Sequence, residues 1–518
     1  MWVLIFASIA AADDRDDDIF GTTGEPHPPQ PLAAPSEPTE PVPAQPVPSE
    51  PTEPVPAQPV PAEPTVPAEP TSTNPPAAAP AETGFGEVDI LETTDADIAR
   101  RLATADERLT IGGKLYLRAN SAIAESTDFG DQVLSSPNLL DLFADVRPND
   151  RVRGFASGRF SYDFAVREGT VDIYGNAQEA SSVTLDQLWV KFDMARVAFI
   201  TTGRQRVKWG SGRFWNPTDF LNQQTLDALN ASVFDERTGV ALLKVHVPVE
   251  SIGANVYGAA NFEGADSLGA VTGAVRSEWL LGPSEIVISA AAGDGAPIRL
   301  GADITAAVGP FDLRVEGAVK HGDETPYFDG AYDIATFTVP NSVDRSDEWI
   351  PQVVVGAEIA VKYNDRDSFY LGAEYFYNGS GYPDASLYPW LLGASAYYEA
   401  VLDDEMAEDT ADLFNPFYLG QHYAGAFVTF PAPGRWDEGT LTASTLANLS
   451  DESYISRLDV SHKALTFLTL NAYAQVHYGE NGEFHFSYEI EAIPGIFDDG
   501  YSLPAPIIDV GVGAMINF

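Results

Sequence analysis

The chain has no cysteine, and its bases are scarce: 29 Lys and Arg stand against 76 Asp and Glu in 518 residues, a formal net charge of −47. The first absence removes disulfides, thiolate metal sites, cysteine nucleophiles and a cysteine-borne lipid anchor. The second excludes nucleic acid as a bulk partner, because a strongly acidic surface repels it. Long apolar runs are also missing. The longest, Trp2 to Ala12, falls well short of the roughly 18 residues that a helical membrane span requires. A closed β-barrel is not excluded, since barrels carry their apolar residues in alternation.

Residues 1–12 have the form of an export signal, an apolar stretch followed by Ala10-Ala11-Ala12 as a small-residue cleavage site. No positive residue precedes it, so the start is expected to be truncated. Residues 13–87 are rich in Pro, Ala, Glu and Thr, with SEPTEPVPAQPVP occurring twice, at 36–48 and 49–61. Proline at this density forbids helix and sheet and predicts an extended, disordered periplasmic spacer; about 55 such residues reach on the order of 170 Å. Residues 13–99 carry −17 and the remainder −30, so the acidity is not confined to the arm. Apolar residues at 91, 98, 102 and 105 predict a short amphipathic helix over 88–107.

From 108 to 518 the dominant signal is period two. Leu109, Ile111, Gly113, Leu115 and Leu117 alternate with Thr110, Gly112, Lys114, Tyr116 and Arg118, and Phe311–Lys320 and Val353–Tyr363 repeat the form. Ten-residue alternation with charge on one face predicts strands between lipid and water, whereas soluble sheets average five or six residues per strand. The expected fold is all-β: a transmembrane antiparallel up-and-down β-barrel of about 18 strands, 16–18 being compatible with the pattern. Short turns are expected at 147–150, 193–196, Pro248, 282–283, 309–310, 364–367, 431–434 and 461–464. Long connections are expected at 121–138, 209–238, 321–350, 379–420 and 479–505. Val510, Val512, Ala514, Ile516 and Phe518 form an apolar row ending on an aromatic carboxy-terminus, the form of a barrel-assembly signal. Tyr363, Tyr375, Tyr377, Tyr473 and Tyr478 suit interfacial girdles.

Segment 109–247 holds 15 of the 29 bases. Lys114 and Arg118, Arg151, Arg153 and Arg159, and Arg204, Arg206 and Lys208 keep parity within their groups, which predicts a basic wall facing the lumen. Two readings stay open. The wall attracts anions, or Asp141, Asp145, Asp163 and Glu316 neutralise it into a stiff, salt-bridged interior. Downstream, Asn216-Pro217 has the form of a helix start. A helix-bearing insertion there would place Trp209, Phe214 and Trp215 at a constriction; a plain outer loop is the other reading.

Gly203-Arg204-Gln205, Trp209-Gly210, Asn216-Pro217-Thr218-Asp219-Phe220, the turn 147–151 (RPNDR) and Glu374–Asn378 followed by Gly381-Tyr382 resemble porin-like outer-membrane barrels of Gram-negative bacteria, and more distantly alginate-export-type channels. The resemblance covers the barrel and not the arm. It implies the outer membrane, passive diffusion of small hydrophilic solutes, and Arg204, Arg206 and the other lumenal bases as solute-facing groups. Expected partners are outer-membrane lipid and lipopolysaccharide, the barrel-assembly machinery, and peptidoglycan or a periplasmic protein through the arm. No cofactor is expected.

Other functions fit less well. The seven histidines (27, 246, 321, 422, 462, 477 and 485) come without a G-x-S-x-G nucleophile motif, against an enzyme. Asp403, Asp404, Glu405, Glu408, Asp409 and Asp412 lack EF-hand spacing, so no metal is assigned. A structural anchor, its arm bound to cell wall, is the alternative that the proline-rich segment supports. No plug domain precedes the first strand, which disfavours a gated transporter.

Overall fold

Alternation along Leu109–Ala124 becomes the first strand, β1, with Ile111 and Leu117 exposed on one face and Gly112 and Tyr116 facing the other. The computed structural model describes residues 108–518 apart from 129, 131, 168–178, 223–237, 324, 335, 337, 402–412 and 491–500, and leaves out the side chains of 395–401 and 501. The export segment 1–12, the arm 13–87, the helix 88–107 and the acidic cluster 403–412 lie outside the described residues.

Seventeen further strands complete the ring, short strands in the connections aside: β2 Pro137–Asn149, β3 Val152–Asp163, β4 Ser181–Met194, β5 Ala198–Gln205 and β6 Val240–Val249. Next come β7 Ala254–Asn261, β8 Thr272–Leu281, β9 Ser284–Gly293, β10 Ala296–Val308, β11 Phe311–His321 and β12 Trp349–Lys362. The last are β13 Ser368–Asn378, β14 His422–Pro431, β15 Gly439–Asn448, β16 Ser453–Leu465, β17 Leu468–Gly479 and β18 Pro506–Asn517. Each pairs antiparallel with the next. β18 returns to β1 in register from Lys114↔Asn517 to Ala124↔Pro506, and the ring closes. No sheet edge is left unpaired along the ring, as a lipid-spanning sheet requires.

Cross-strand partners share a face. One outward row runs Ile304, Val315, Val355 and Tyr375, each between 40% and 47% exposed. One position along, an inward row runs Asp303, Glu316, Val354, Phe376, Tyr423, Asn448 and Ser453, none more than 3% exposed. The layering is therefore inverted relative to a water-soluble domain, with the packed core inside the ring and aliphatic side chains outside.

Connections at one end are short: 150–151, 195–197, 250–253, 282–283, 309–310, 363–367, 432–438 and 466–467. At the other end most are long, notably 206–239, 322–348, 379–421 and 480–505. Two there, 294–295 and 449–452, are as short as the opposite turns. The expected turn at 461–464 lies two residues later, because β16 continues to Leu465. Helix α1, Tyr388–Val401, occupies the long connection after β13; there Tyr388, Leu391 and Leu392 pack with Phe328, Tyr382 and Phe414 into a small aromatic core.

Candidate functional site

Residues 206–222 follow β5 and fold inward instead of continuing outward. The sequence turns there on apolar and small residues: Val207, Trp209, Phe214, Trp215, Phe220 and Leu221 are each at most 9% exposed. Two strand carboxylates hold the segment by its backbone. Glu316 of β11 accepts from the N–H groups of Ser211 (2.7 Å), Gly212 (3.1 Å) and Thr218 (2.8 Å), and from the Thr218 hydroxyl (2.9 Å). Glu374 of β13 accepts from the N–H groups of Arg213 (2.8 Å), Phe214 (3.0 Å) and Trp215 (3.1 Å). Hydrogen bonds to an ionised acceptor are the strong kind.

The helix expected from Asn216-Pro217 does not form over 216–222. Asp219 N–H returns to the Asn216 carbonyl at 3.0 Å and Phe220 N–H to the Thr218 carbonyl at 3.0 Å, while Glu316 takes the Thr218 N–H that an Asn cap would have held. The rest of the insertion, 223–237, lies outside the described residues.

Trp209 packs with Phe220, Leu221 and Leu242. Phe214 and Trp215 join Phe376, Tyr423, Phe427, Leu446 and Phe484 in a second buried cluster. Trp215 stacks on Phe376 with ring centroids 5.5 Å apart, and its indole N–H donates to the Phe417 carbonyl at 3.2 Å. These rings cement the segment to the wall. Of residues 206–222, all described, only Arg213 is exposed. Its guanidinium lies 3.6 Å from the centre of the Phe427 ring, with Glu358, Arg314 and Glu374 as charged neighbours.

The bases named from the sequence are arranged less uniformly than parity predicts. Lys114 pairs in register with Asp141, and Arg118 donates to the Pro137 carbonyl at 2.7 Å beside the Tyr116 ring. Arg153 meets Asp145 at 3.0 Å, Arg159 meets Asp141 at 3.1 Å, and Arg206 meets Asp186 at 2.6 Å. Lys208 reaches the Gly212 carbonyl at 3.5 Å. Two positions are corrected. Arg151 sits in the turn between β2 and β3, 55% exposed and paired with Asp193, because the strand begins only at Val152. Arg204 lies on the opposite face from Gln205 and Thr201, in register with outward Leu188, and binds Glu263 at 2.7 Å near the outer rim. Of the carboxylates expected to neutralise the wall, Asp141 and Asp145 do so, whereas Asp163 accepts from Ser136 and Ala165 N–H groups and Glu316 holds the inner segment.

Further inward ion pairs lie outside the stretch that the base count had marked: Arg276 with Glu278 (2.9 Å) and Asp303 (3.6 Å), Arg314 with Glu358 (3.0 Å), and Arg457 with Asp459 (3.0 Å). The i, i+2 spacing of Arg276/Glu278 and Arg457/Asp459 in strands was the available signal. For Glu374, a lone carboxylate on the inward parity of an aromatic strand was the signal. Among the tyrosines, Tyr363, Tyr375 and Tyr478 are 40–45% exposed on the outer face. Tyr473 instead faces inward, in register with Asp459 and 4.0 Å from the Arg457 guanidinium. Val510 and Val512 are outward, 39% and 62% exposed, as is Phe518 at 62%. A shallow apolar groove around Gly258, Ala260, Gly273 and Ala290 opens on the outer face and so is not part of the lumen.

A closed ring of eighteen strands, aliphatic outside and ion-paired within, with a segment folded into its interior, has the architecture of a transmembrane β-barrel of the outer-membrane type. The chain is such a barrel. No protein-family model and no curated protein matches it. Among solved structures it is similar to OccAB4 of Acinetobacter baumannii, with a TM-score of 0.47 and 10% identity over 80% of this chain and 99% of that one. It is also similar to OpdK of Pseudomonas aeruginosa (TM-score 0.43, 9% identity, 79% and 98% covered) and to OprB of Pseudomonas putida at low pH (0.38, 8%, 82% and 97%).

Proposed function

We propose that the barrel is a channel for passive diffusion of small hydrophilic solutes and that Arg213 gives it a preference for anions. The observation carrying this reading is the inner segment. Six backbone N–H groups fastened to Glu316 and Glu374 fix it inside the ring, and its one exposed side chain is a guanidinium. The sequence had placed the preference on the basic wall as a whole. Arg151, Arg153, Arg159, Arg204 and Arg206 have carboxylate partners, and Arg151 and Arg204 do not belong to the lumenal wall, so the task passes to Arg213. The apolar carboxy-terminal row is the surface that assembly machinery would read.

The test is planar-bilayer reversal potential in a salt gradient. A unit charge about 4 Å from a passing ion in water contributes ~1 kcal/mol, equivalent to roughly fivefold in local occupancy. Arg213→Gln is therefore expected to lower the anion-to-cation permeability ratio by about that factor while channels still form. An unchanged ratio refutes the assignment of Arg213. Absence of conductance from the folded native barrel refutes the channel itself.

A further inference from the structure

Residues 480–487, after β17, bend back into the outer mouth. Glu483, Phe484 and Phe486 are each at most 9% exposed, and Phe484 shares a buried cluster with Tyr423 and Trp215. Glu483 sits among polar groups from three other elements. One carboxylate oxygen accepts from the Tyr423 hydroxyl of β14 (2.7 Å) and from the Asn448 amide at the end of β15 (2.8 Å). The same Asn448 amide donates to Asp451 at 2.7 Å and to the Tyr388 hydroxyl of α1 at 3.3 Å, and Asp451 accepts the backbone N–H of Glu483 at 2.8 Å. Glu483 Oε1 is buried with no hydrogen-bond partner among the described residues. Two buried carboxylates thus share one amide donor, and the hydrogen bonds that favour an ionised Glu483 come from Tyr423, Asn448 and the Leu419 backbone.

We propose that the Glu483–Asp451 pair is a pH-sensitive latch, which holds 480–487 in the mouth when Glu483 is neutral and releases it when Glu483 ionises. Burial, with the Asp451 charge behind it, raises the Glu483 carboxyl from 4.5 to about 8, against the lowering effect of the Tyr423 and Asn448 hydrogen bonds. The latched form binds the proton more tightly than the released form. Latching is therefore strongest below about 4.5 and weakens by up to tenfold per pH unit as pH rises towards about 8, then levels. Two imidazoles touch the same segment. His477 bridges the Phe484 carbonyl (2.7 Å) and Asp509 (2.8 Å), and His485 faces Glu125 at 3.5 Å.

The absence of cysteine makes the test clean. Glu480→Cys, exposed at the start of the segment, is spin-labelled in the full-length barrel folded in detergent, and label mobility is recorded from pH 6 to 9. The mobile fraction is expected to rise through this range in the native background and to stay flat between pH 7 and 9 with Glu483→Gln. Tyr423→Phe removes the donor that favours the ionised carboxyl and is expected to move the transition to higher pH. A flat native curve, a Glu483→Gln curve that matches the native one, or a Tyr423→Phe midpoint that does not move overturns the latch. The readout does not depend on conduction, so it stands or falls apart from the channel reading.

Discussion

Glu316 and Glu374 are 0% and 5% exposed, and placing two carboxylates there costs several kcal/mol of lost hydration each. What offsets that cost is unusual in its donors: three main-chain N–H groups on each carboxylate, all from one segment. The dependence runs both ways. A buried N–H left without an acceptor costs about 1–3 kcal/mol, so removing one carboxylate strands three such groups. Glu374→Ala is expected to free residues 213–215 from the wall, which would raise single-channel conductance and speed amide exchange at these positions. Glu374→Gln, which keeps one acceptor oxygen, is expected to fall between. Native conductance and exchange in Glu374→Ala would show that the rings of Phe214 and Trp215 hold the segment without the carboxylate.

Among the elements, inward glycines decide where the segment lies. A Cβ on Gly425 of β14 would come within 2.5 Å of the Phe214 ring, and one on Gly301 of β10 within 2.8 Å of Thr218 and 2.9 Å of Phe220. Glycine inside a strand commonly marks such a close backbone approach. Gly425→Ala is expected to push Phe214 off β14 and lower thermal stability by about 1–3 kcal/mol, the usual cost of overpacking, with the barrel itself still closing. A stability equal to the native protein's, by heat-modifiability on gels, would mean that Phe214 does not pack where it is placed. The strands themselves were legible because lipid outside and water inside impose one alternation over ten or more residues. The fate of the bases was not. Ion pairing in a sheet is set by register, as in Asp141 opposite Arg159, and register is not written in either strand alone. Arg204 and Arg206 share parity, yet β5 ends at Gln205, so Arg206 escapes the pleat and turns to Asp186 while Arg204 stays on the outward face. The inner segment was half legible: its aromatics marked an inward-folded stretch, but Asn216-Pro217 suggested a helix because nothing local announces a carboxylate 98 residues away that claims the Thr218 N–H.

For the molecule as a whole, closure rests on β18, which must pair β17 on one side and β1 on the other. The terminal residue contributes to the seam: Phe518 N–H donates to the Gly113 carbonyl at 3.0 Å, and Gly113 N–H donates to the Phe518 carbonyl at 2.8 Å. Its ring, 62% exposed, extends the outward row of Val510 and Val512. An exposed ring contributes little to the folded barrel, so the stability of the closed ring and the recognition of its last strand are separable. Phe518→Ala keeps both main-chain bonds and is expected to refold in detergent to a barrel of native heat resistance, because burial lost at an exposed side chain is small. In cells the same variant is expected, if the row has its proposed role as an assembly signal, to yield severalfold less folded protein in the outer membrane. Equal yields in cells would remove the assembly role from Phe518 and leave the row as an ordinary lipid-facing strand. Loss of heat resistance in the detergent-refolded variant would instead place the ring in the seam itself, and the two outcomes are distinguished by measuring both preparations side by side.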